Sequence, residues 1–239
     1  MAWKQPMQIT SWSFSRYQVY STCPRRAKYL YIDKLKEPED PDGPMARGNH
    51  IHKLAESYVL GGVTRLPKEL VKFGPFFKAT RAARKRDPTA VVVESTWAFR
   101  RDWTQTTWDD WNGCHLRVKV DLAVRDEDRV TVVDHKTGKW SPQYNLEKYM
   151  EQLDLYATAA LQLYGNVTVV PRLHFLDHEI IYPALEDTRT YTARDLPKLK
   201  KTWAAKTRAM LADKTFAPKP SNLCRWCAFS RDKGGPCEM

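Results

Sequence analysis

The stretch RVKVDLAVRDEDRVTVVDHK, residues 117–136, decides the fold. It contains two valine-rich segments, and a short charged run separates them. This pattern is typical of two antiparallel strands that are joined by a turn. If the turn is the two-residue pair Glu127 and Asp128, then Asp121 lies directly opposite Asp134.

Two carboxylates and an ammonium converge under this register. Asp134 and Lys136 share one face of their strand, and His135 points to the other face. Cross-strand neighbours have Cβ atoms about 5 Å apart, which brings Asp121 to the same patch. Such a group suits Mg²⁺ or Mn²⁺, with the lysine near the developing negative charge. The alternative is an exposed hairpin with ordinary salt bridges.

Two helical pairs add to this group. His52 and Glu56 lie one helical turn apart, and so do Gln152 and Tyr156. A histidine beside two carboxylates can complete a metal site, although a lone histidine is more often hydrogen-bonded or exposed. Gln152 and Tyr156 are placed to hold a substrate or the lysine, and packing is the alternative.

Outward from the hairpin, the pattern predicts an α/β (α+β) fold in which helices flank a central mixed β-sheet. Val118, Val120, Leu122 and Val124 are expected on one face of their strand. The predicted strands are 90–99, 116–124, 130–136 and 168–176. The predicted helices are 11–35 with a break near Cys23, 45–58, 146–164, and a last helix that Thr192 caps with Asp195 in a capping box.

The net charge of +11 favours a polyanionic partner. Residues 194–239 are basic, and a second basic group consists of Arg81, Arg84, Lys85 and Arg86. A solvated helix face is an equal alternative for each. No apolar run approaches the roughly 20 residues that a bilayer requires. The opening residues, MAWKQP, have no secretory pattern, so we expect no membrane and a cytoplasmic location.

Four of the five cysteines are candidates for a second metal centre. Cys224, Cys227 and Cys237 cluster near the C-terminus, and Cys23 is the candidate for a fourth ligand. Four thiolates suit a [4Fe–4S] cluster or a structural zinc ion, and the spacing does not distinguish them. Cys114 is expected to be a bystander.

Three tryptophans fall in the polar segment 102–113, namely Trp103, Trp108 and Trp111. They are expected to pack against the protein or to stack on the bases of single-stranded DNA.

Several of these motifs occur together in one order. Gly48-xxx-His52, Val120-Asp121, Asp134-His-Lys136 and Gln152-xxx-Tyr156 follow an opening Ser11-Trp-Ser13-Phe-Ser-Arg-x6-Cys23-Pro24-Arg25. The order resembles the PD-(D/E)XK nuclease superfamily. It is most similar to the RecB-like branch, which includes CRISPR-associated and phage-borne exonucleases. The resemblance runs from about residue 11 to 237.

The resemblance implies a restriction-endonuclease-like core with a metal centre and an iron–sulfur cluster. It implies Mg²⁺ or Mn²⁺ ligands at His52, Asp121 and Asp134, with the His135 carbonyl as a further one and Glu94 near the metal. Asp134 stands where the family more often has Glu. It implies that Lys136 is the catalytic lysine and that Gln152 and Tyr156 assist it. It also implies a [4Fe–4S] cluster that pins the termini together, held by Cys23, Cys224, Cys227 and Cys237.

The resulting expectation is a single nuclease domain over 1–239, with an N-terminal helical part (11–60), a catalytic core (90–190) and a Cys-rich end (192–239). We expect a DNA exonuclease that processes single-stranded or duplex ends in recombination, repair or phage replication. If phage-encoded, it would act in the host cytoplasm. The chain has no phosphate-binding loop for ATP, so any unwinding requires a helicase partner. The sequence is compatible with a homo-oligomer. The alternatives are an endonuclease, a non-catalytic DNA-binding or assembly module, and a zinc-stabilised RNA-binding protein.

Overall fold

A six-stranded mixed sheet forms the centre of the computed structural model, which describes residues 8–239. The opening stretch 1–6, in which we saw no secretory pattern, lies outside these residues. The strands are β1 (Val91–Phe99), β2 (Gln105–Thr106), β3 (Leu116–Asp126), β4 (Arg129–Lys136), β5 (Thr168–Phe175) and β6 (Ile180–Tyr182). Their order is β2-β1-β3-β4-β5-β6, and the β4–β5 pair is parallel while the other four pairs are antiparallel.

Helices cover both faces of this sheet. They are α1 (Phe14–Thr22), α2 (Pro24–Tyr31), α3 (Pro44–Leu60), α4 (Gly74–Arg86), α5 (Pro142–Tyr164) and α6 (Leu196–Ala212). Helices α3 and α4 pack on one apolar cluster, which includes Val91 and Val133. Helices α5 and α6 pack on another, which includes Val130 and Val132. Neighbouring residues of a strand point to opposite faces, so the two clusters lie on opposite sides. The predicted fold class is confirmed.

The hairpin at the centre of the sheet has the predicted register. Leu122 pairs with Val133, and Asp126 pairs with Arg129 across a two-residue turn. The same register places Asp121 opposite Asp134. Glu127, the first residue of the turn, has a φ of +48°, which the tight reversal between two twisted strands favours. The turn therefore fixes which side chains meet at the other end of the hairpin.

The predicted alternation along β3 is wrong beyond its midpoint. Val118 and Val120 belong to the cluster under α5 and α6, whereas Leu122 packs with the cluster under α3 and α4. The register places Glu94 of β1 opposite Asp121, and Glu94 has a φ of +46°. A left-handed residue interrupts the pleat, so the inward face changes there. The sheet is therefore irregular where Glu94 and Asp121 meet.

Local signals set the helix ends. Ser13 caps α1 by accepting from Arg16 N at 3.3 Å, and Pro24 opens α2 after the predicted break at Cys23. The predicted start of the last helix is wrong, because α6 begins at Leu196 with Asp195 as its N-cap. The Asp195 carboxylate accepts from Thr192 N at 2.8 Å, which is half of the expected capping box.

Helix α4 carries the basic group that the sequence analysis singled out. Arg81 donates to Val63 O at 2.7 Å and lies over the Tyr58 ring, and Arg84 donates to the carbonyl oxygens of Pro88 and Val91. These two arginines therefore tie α4 to neighbouring loops instead of forming a solvated face. Among residues 8–239, no helix combines the length and apolar character needed to span a bilayer.

Candidate active site

Asp121 and Asp134 lie on β3 and β4, the two central strands of the sheet. Their exposed fractions are 7% and 6%, so both carboxylates are buried. The His135 N–H donates to Asp121 Oδ2 at 2.7 Å. The His135 ring points to the opposite face and packs against Phe77 and His174, as the strand period predicts. Two buried carboxylates at facing positions of neighbouring strands require a positive charge beside them.

His52 supplies part of that charge from α3. Its Nδ1 lies 3.3 Å from Asp121 Oδ1 and 3.5 Å from Glu94 Oε1, and its Nε2 lies 3.0 Å from His135 O. Burial lowers the pKa of His52, but the contacts with the Asp121 and Glu94 carboxylates outweigh it and raise the pKa to about 10. Without a metal ion the ring therefore holds a proton at neutral pH, and it would have to release that proton to serve as a metal ligand.

The carboxylates respond to this charge. Burial raises the pKa of Asp121, yet the His52 imidazolium lowers it below its usual value. Burial also raises the pKa of Glu94, and hydrogen bonds from His52 and Lys119 lower it overall. Lys119 Nζ lies 2.7 Å from Glu94 Oε2. Both acids are therefore ionised at neutral pH and can serve as oxygen ligands.

Gly48 explains how α3 comes so close to the sheet. A Cβ atom at this position would lie 3.1 Å from Thr137 Oγ1, which is closer than ordinary packing allows. One residue earlier, Arg47 donates to Thr137 O at 2.8 Å and pairs with Asp177. The Gly48-xxx-His52 spacing therefore docks α3 against the end of β4 and aims His52 at the carboxylates.

The second half of the site is a hydrogen-bonded network around Asp134. Lys136 Nζ lies 2.6 Å from Asp134 Oδ2 and donates to Gln152 Oε1 at 2.9 Å. Gln152 Nε2 donates to Asp134 Oδ1 at 2.9 Å, and Tyr156 OH donates to the same oxygen at 2.6 Å. Burial raises the pKa of Tyr156 well above its usual value, so the phenol stays a neutral donor.

Of the three predicted metal ligands His52, Asp121 and Asp134, the first two lie in one compact group and Asp134 does not. Within residues 8–239, the one group of three His, Cys, Asp or Glu side chains whose ligand atoms lie within 4.8 Å of one another is His52, Glu94 and Asp121. Asp134 stands beside this group and faces Lys136. Glu56, one turn after His52, is not part of it. Glu94, which the resemblance placed near the metal, is part of it.

The donor set fits a hard divalent cation. Three carboxylates and one imidazole surround the point where β1, β3 and β4 meet, and Mg²⁺ and Mn²⁺ take such ligands. Asp134 Oδ2 is buried and accepts no hydrogen bond of ordinary geometry among the described residues, although Lys136 lies close by. This oxygen is therefore held by the Lys136 ammonium alone, and a metal ion bound here would share it with that charge.

The four candidate cluster cysteines line one cavity, whose lining includes none of the active-site residues. Cys23 lies between α1 and α2, and Cys224, Cys227 and Cys237 lie in the tail. All four line a cavity of about 280 Å³. No three of their sulfur atoms lie within 4.8 Å of one another among the described residues. Cys114 is buried elsewhere, next to Leu116 O.

Hydrogen bonds hold the two ends of the chain around this cavity. Tyr29 OH donates to Pro236 O at 3.0 Å, and Arg25 Nε donates to Phe216 O at 2.8 Å. Lys219 Nζ donates to Ser21 O at 2.8 Å. The N-terminal helices and the tail therefore form one unit around the thiols.

Comparison with known proteins gives one informative match. The family model of the PD-(D/E)XK nuclease superfamily matches residues 11–231. No curated protein matches the sequence. Among solved structures, one titled "Crystal structure of SSO0001" aligns with a TM-score of 0.39 and 13% identity, over 97% of this chain and 87% of that chain. The family match spans every residue of the carboxylate and lysine network, and Cys237 lies beyond it.

Proposed function

The chain belongs to the PD-(D/E)XK nuclease superfamily, and on that premise we propose that it is a divalent-metal-dependent exonuclease acting on DNA ends. The observation that carries the proposal is the network in which Lys136, Gln152 and Tyr156 surround Asp134 opposite Asp121 and His52. We further propose that residues 1–239 act as a single nuclease domain of the RecB-like branch.

In this proposal, Asp121, Asp134 and His52 hold Mg²⁺ or Mn²⁺, with Glu94 and the His135 carbonyl as further ligands. The ion, when bound, would activate water and stabilise the charge that builds on a phosphate. Lys136 then orients the attacking water and offsets negative charge at the phosphate. Gln152 and Tyr156 hold Asp134 and Lys136 in position through the contacts described above.

A cleavage assay on two DNA forms tests the proposed function. We expect the anaerobically purified protein with Mn²⁺ to degrade end-labelled linear DNA and to leave a closed circle intact. Cleavage of both would make the enzyme an endonuclease of the same fold. No cleavage of either by a folded protein would favour the non-catalytic DNA-binding or assembly module. Degradation of RNA alone would reject DNA as the substrate.

We also propose that Cys23, Cys224, Cys227 and Cys237 hold a [4Fe–4S] cluster that fixes the two ends of the chain. Their common cavity supports a ligand among them. A structural zinc ion is the alternative, and metal analysis distinguishes the two.

Substitution of one cluster cysteine should remove the metal and loosen the fold. Because the bound metal couples the ends of the chain, we expect Cys227→Ser to lose its iron and to unfold about 10 °C lower, equivalent to roughly 3 kcal/mol at this size. Cys114→Ser is the matched control for metal content and should keep its iron. Metal analysis and thermal unfolding measure the effect. Zinc in the wild type, or iron retained by Cys227→Ser, would contradict the assignment.

The biological setting is part of the proposal. End processing in recombination, repair or phage replication suits an exonuclease, and a helicase partner would supply any unwinding. Cysteines that hold a metal cluster are typical of a reducing compartment, which supports the cytoplasm of the cell or of a phage host. A homo-oligomer would be a further level of organisation.

A further inference from the structure

A second cavity, of about 350 Å³, opens beside the catalytic network. Gln152 and Tyr156, which hydrogen-bond to Asp134, form one of its walls. Arg16, Arg117 and Trp108 also line it. The volume lies in the range of small-molecule sites and fits one nucleotide, not a duplex. Anything in this cavity would adjoin a phosphate bound at the carboxylates.

Two arginines lie side by side in this cavity without a counter-ion. Arg16 donates through Nη1 to Ser11 Oγ at 2.9 Å, and Arg117 donates to the same oxygen at 3.0 Å. Neither forms an ion pair with a carboxylate anywhere in residues 8–239.

The positive charge of this pair is costly without an anion. Burial lowers the pKa of Arg16, and the neighbouring charge of Arg117 also lowers it. Guanidinium groups are shaped to bind phosphate oxygens with two hydrogen bonds. Nε and Nη2 of Arg117 already donate to Trp108 O, so a phosphate here would be bound by the combined charge of the pair and by the N–H groups that these contacts leave free.

Aromatic rings stand next to the two arginines. The Arg117 guanidinium lies 5.6 Å from the Trp108 ring centroid and 5.4 Å from that of Trp111. Arg117 also donates to Trp108 O at 3.0 Å, which fixes the loop that carries both rings. Trp111 is 79% exposed. Proteins that bind single-stranded DNA typically combine cationic side chains, which neutralise the phosphate backbone, with aromatic rings, on which the bases stack.

We propose that Arg16 and Arg117 bind the phosphate next to the scissile one, and that Trp108 stacks on its unpaired base. This inference rests on the proposed nuclease function and deepens it. The strand that enters the active site would be single-stranded DNA. Duplex ends would have to be unpaired before cleavage.

The salt dependence of binding tests the role of the arginines. Fluorescence anisotropy would follow a labelled oligothymidylate of about 15 nucleotides between 50 and 200 mM NaCl, without divalent metal, so that no cleavage occurs. For the double variant Arg16→Gln/Arg117→Gln, we expect the slope of log K against log salt to become shallower by about 0.7, the value of one lost single-strand phosphate contact. Arg125→Gln removes a charge from the other end of β3 and should leave the slope unchanged.

The role of the Trp108 ring is tested by affinity and not by the salt slope. Trp108→Ala should weaken binding about 5- to 150-fold, the cost of one lost base stack, without changing the slope. Arg117→Lys keeps the charge and should keep the slope while binding more weakly. Thermal unfolding would establish that each variant is folded.

An unchanged slope in the folded double arginine variant would overturn the phosphate assignment, and unchanged affinity in Trp108→Ala would overturn the stacking. Neither result would affect the proposed nuclease if the wild type still degrades linear DNA. A wild type that neither binds the oligonucleotide nor cleaves DNA would overturn both the inference and the proposed function.

Discussion

Asp134→Ala is expected to abolish metal-dependent DNA cleavage, with a rate loss on the order of 10³-fold or more. The substitution removes a buried carboxylate that is a proposed metal ligand and the acceptor for Gln152 and Tyr156. Lys136 also loses the group that it pairs with. Mn²⁺ affinity should fall together with the rate, because both depend on the same oxygen atoms. Isothermal titration with Mn²⁺ and single-turnover cleavage of linear DNA measure the two quantities.

The matched control for this variant is Asp128→Ala. Asp128 lies on the turn at the other end of the same hairpin and is exposed, so its removal should change neither rate nor affinity. An Asp134→Ala protein that folds and cleaves within about tenfold of the wild type would exclude Asp134 from the metal centre.

Lys136→Met is expected to lower the cleavage rate on the order of 10²- to 10³-fold while Mn²⁺ affinity is retained. Lys136 offers no ligand atom to a cation when protonated, and its ammonium lies between Asp134 Oδ2 and Gln152 Oε1. Methionine keeps the length and the apolar stem and removes only the charge. The separation of rate from affinity distinguishes this residue from Asp134.

Lys139→Met is the control for the lost charge, because Lys139 is exposed three residues further along the chain. Its rate should equal that of the wild type. If Lys136→Met lost metal affinity and thermal stability in proportion to its rate, the lysine would be a partner of Asp134 and not a catalytic group.

The hairpin shows what the sequence could predict about the fold. A two-residue turn and a strand period of two leave one register, so the meeting of Asp121 and Asp134 followed from residues 117–136 alone. The change of face near Glu94 did not follow, because it depends on a backbone conformation that a glutamate rarely adopts. Helix α4 was not predicted, because its many basic residues leave few apolar positions to show the helical period, of which Phe77 is the main buried one.

In the candidate site, too, contacts between residues close in sequence could be predicted, and contacts between distant residues could not. Pairs that depend on local spacing, such as Asp134 with Lys136 and Gln152 with Tyr156, lie together as predicted. Helical spacing places Glu56 one turn from His52, but the glutamate that His52 contacts is Glu94, which only the family resemblance placed near the metal. That contact joins a helix to a strand about 40 residues later, and local periodicity carries no information about it. The arginine pair does not follow from the sequence for the same reason, because residues 16 and 117 are far apart in the chain and both donate to Ser11.

The hydrogen bond between Tyr29 and Pro236 joins positions 207 residues apart. At a synthesis rate of about 5–20 residues per second, helix α2 emerges from the ribosome on the order of 10–40 seconds before its partner. During that interval the docking side of the N-terminal helices is exposed, while the hairpin of β3 and β4 can already form from local contacts. A chain cut before Phe216 would therefore carry every active-site residue and still pack α1 on Trp203, but it would lack the tail contacts of helix α2.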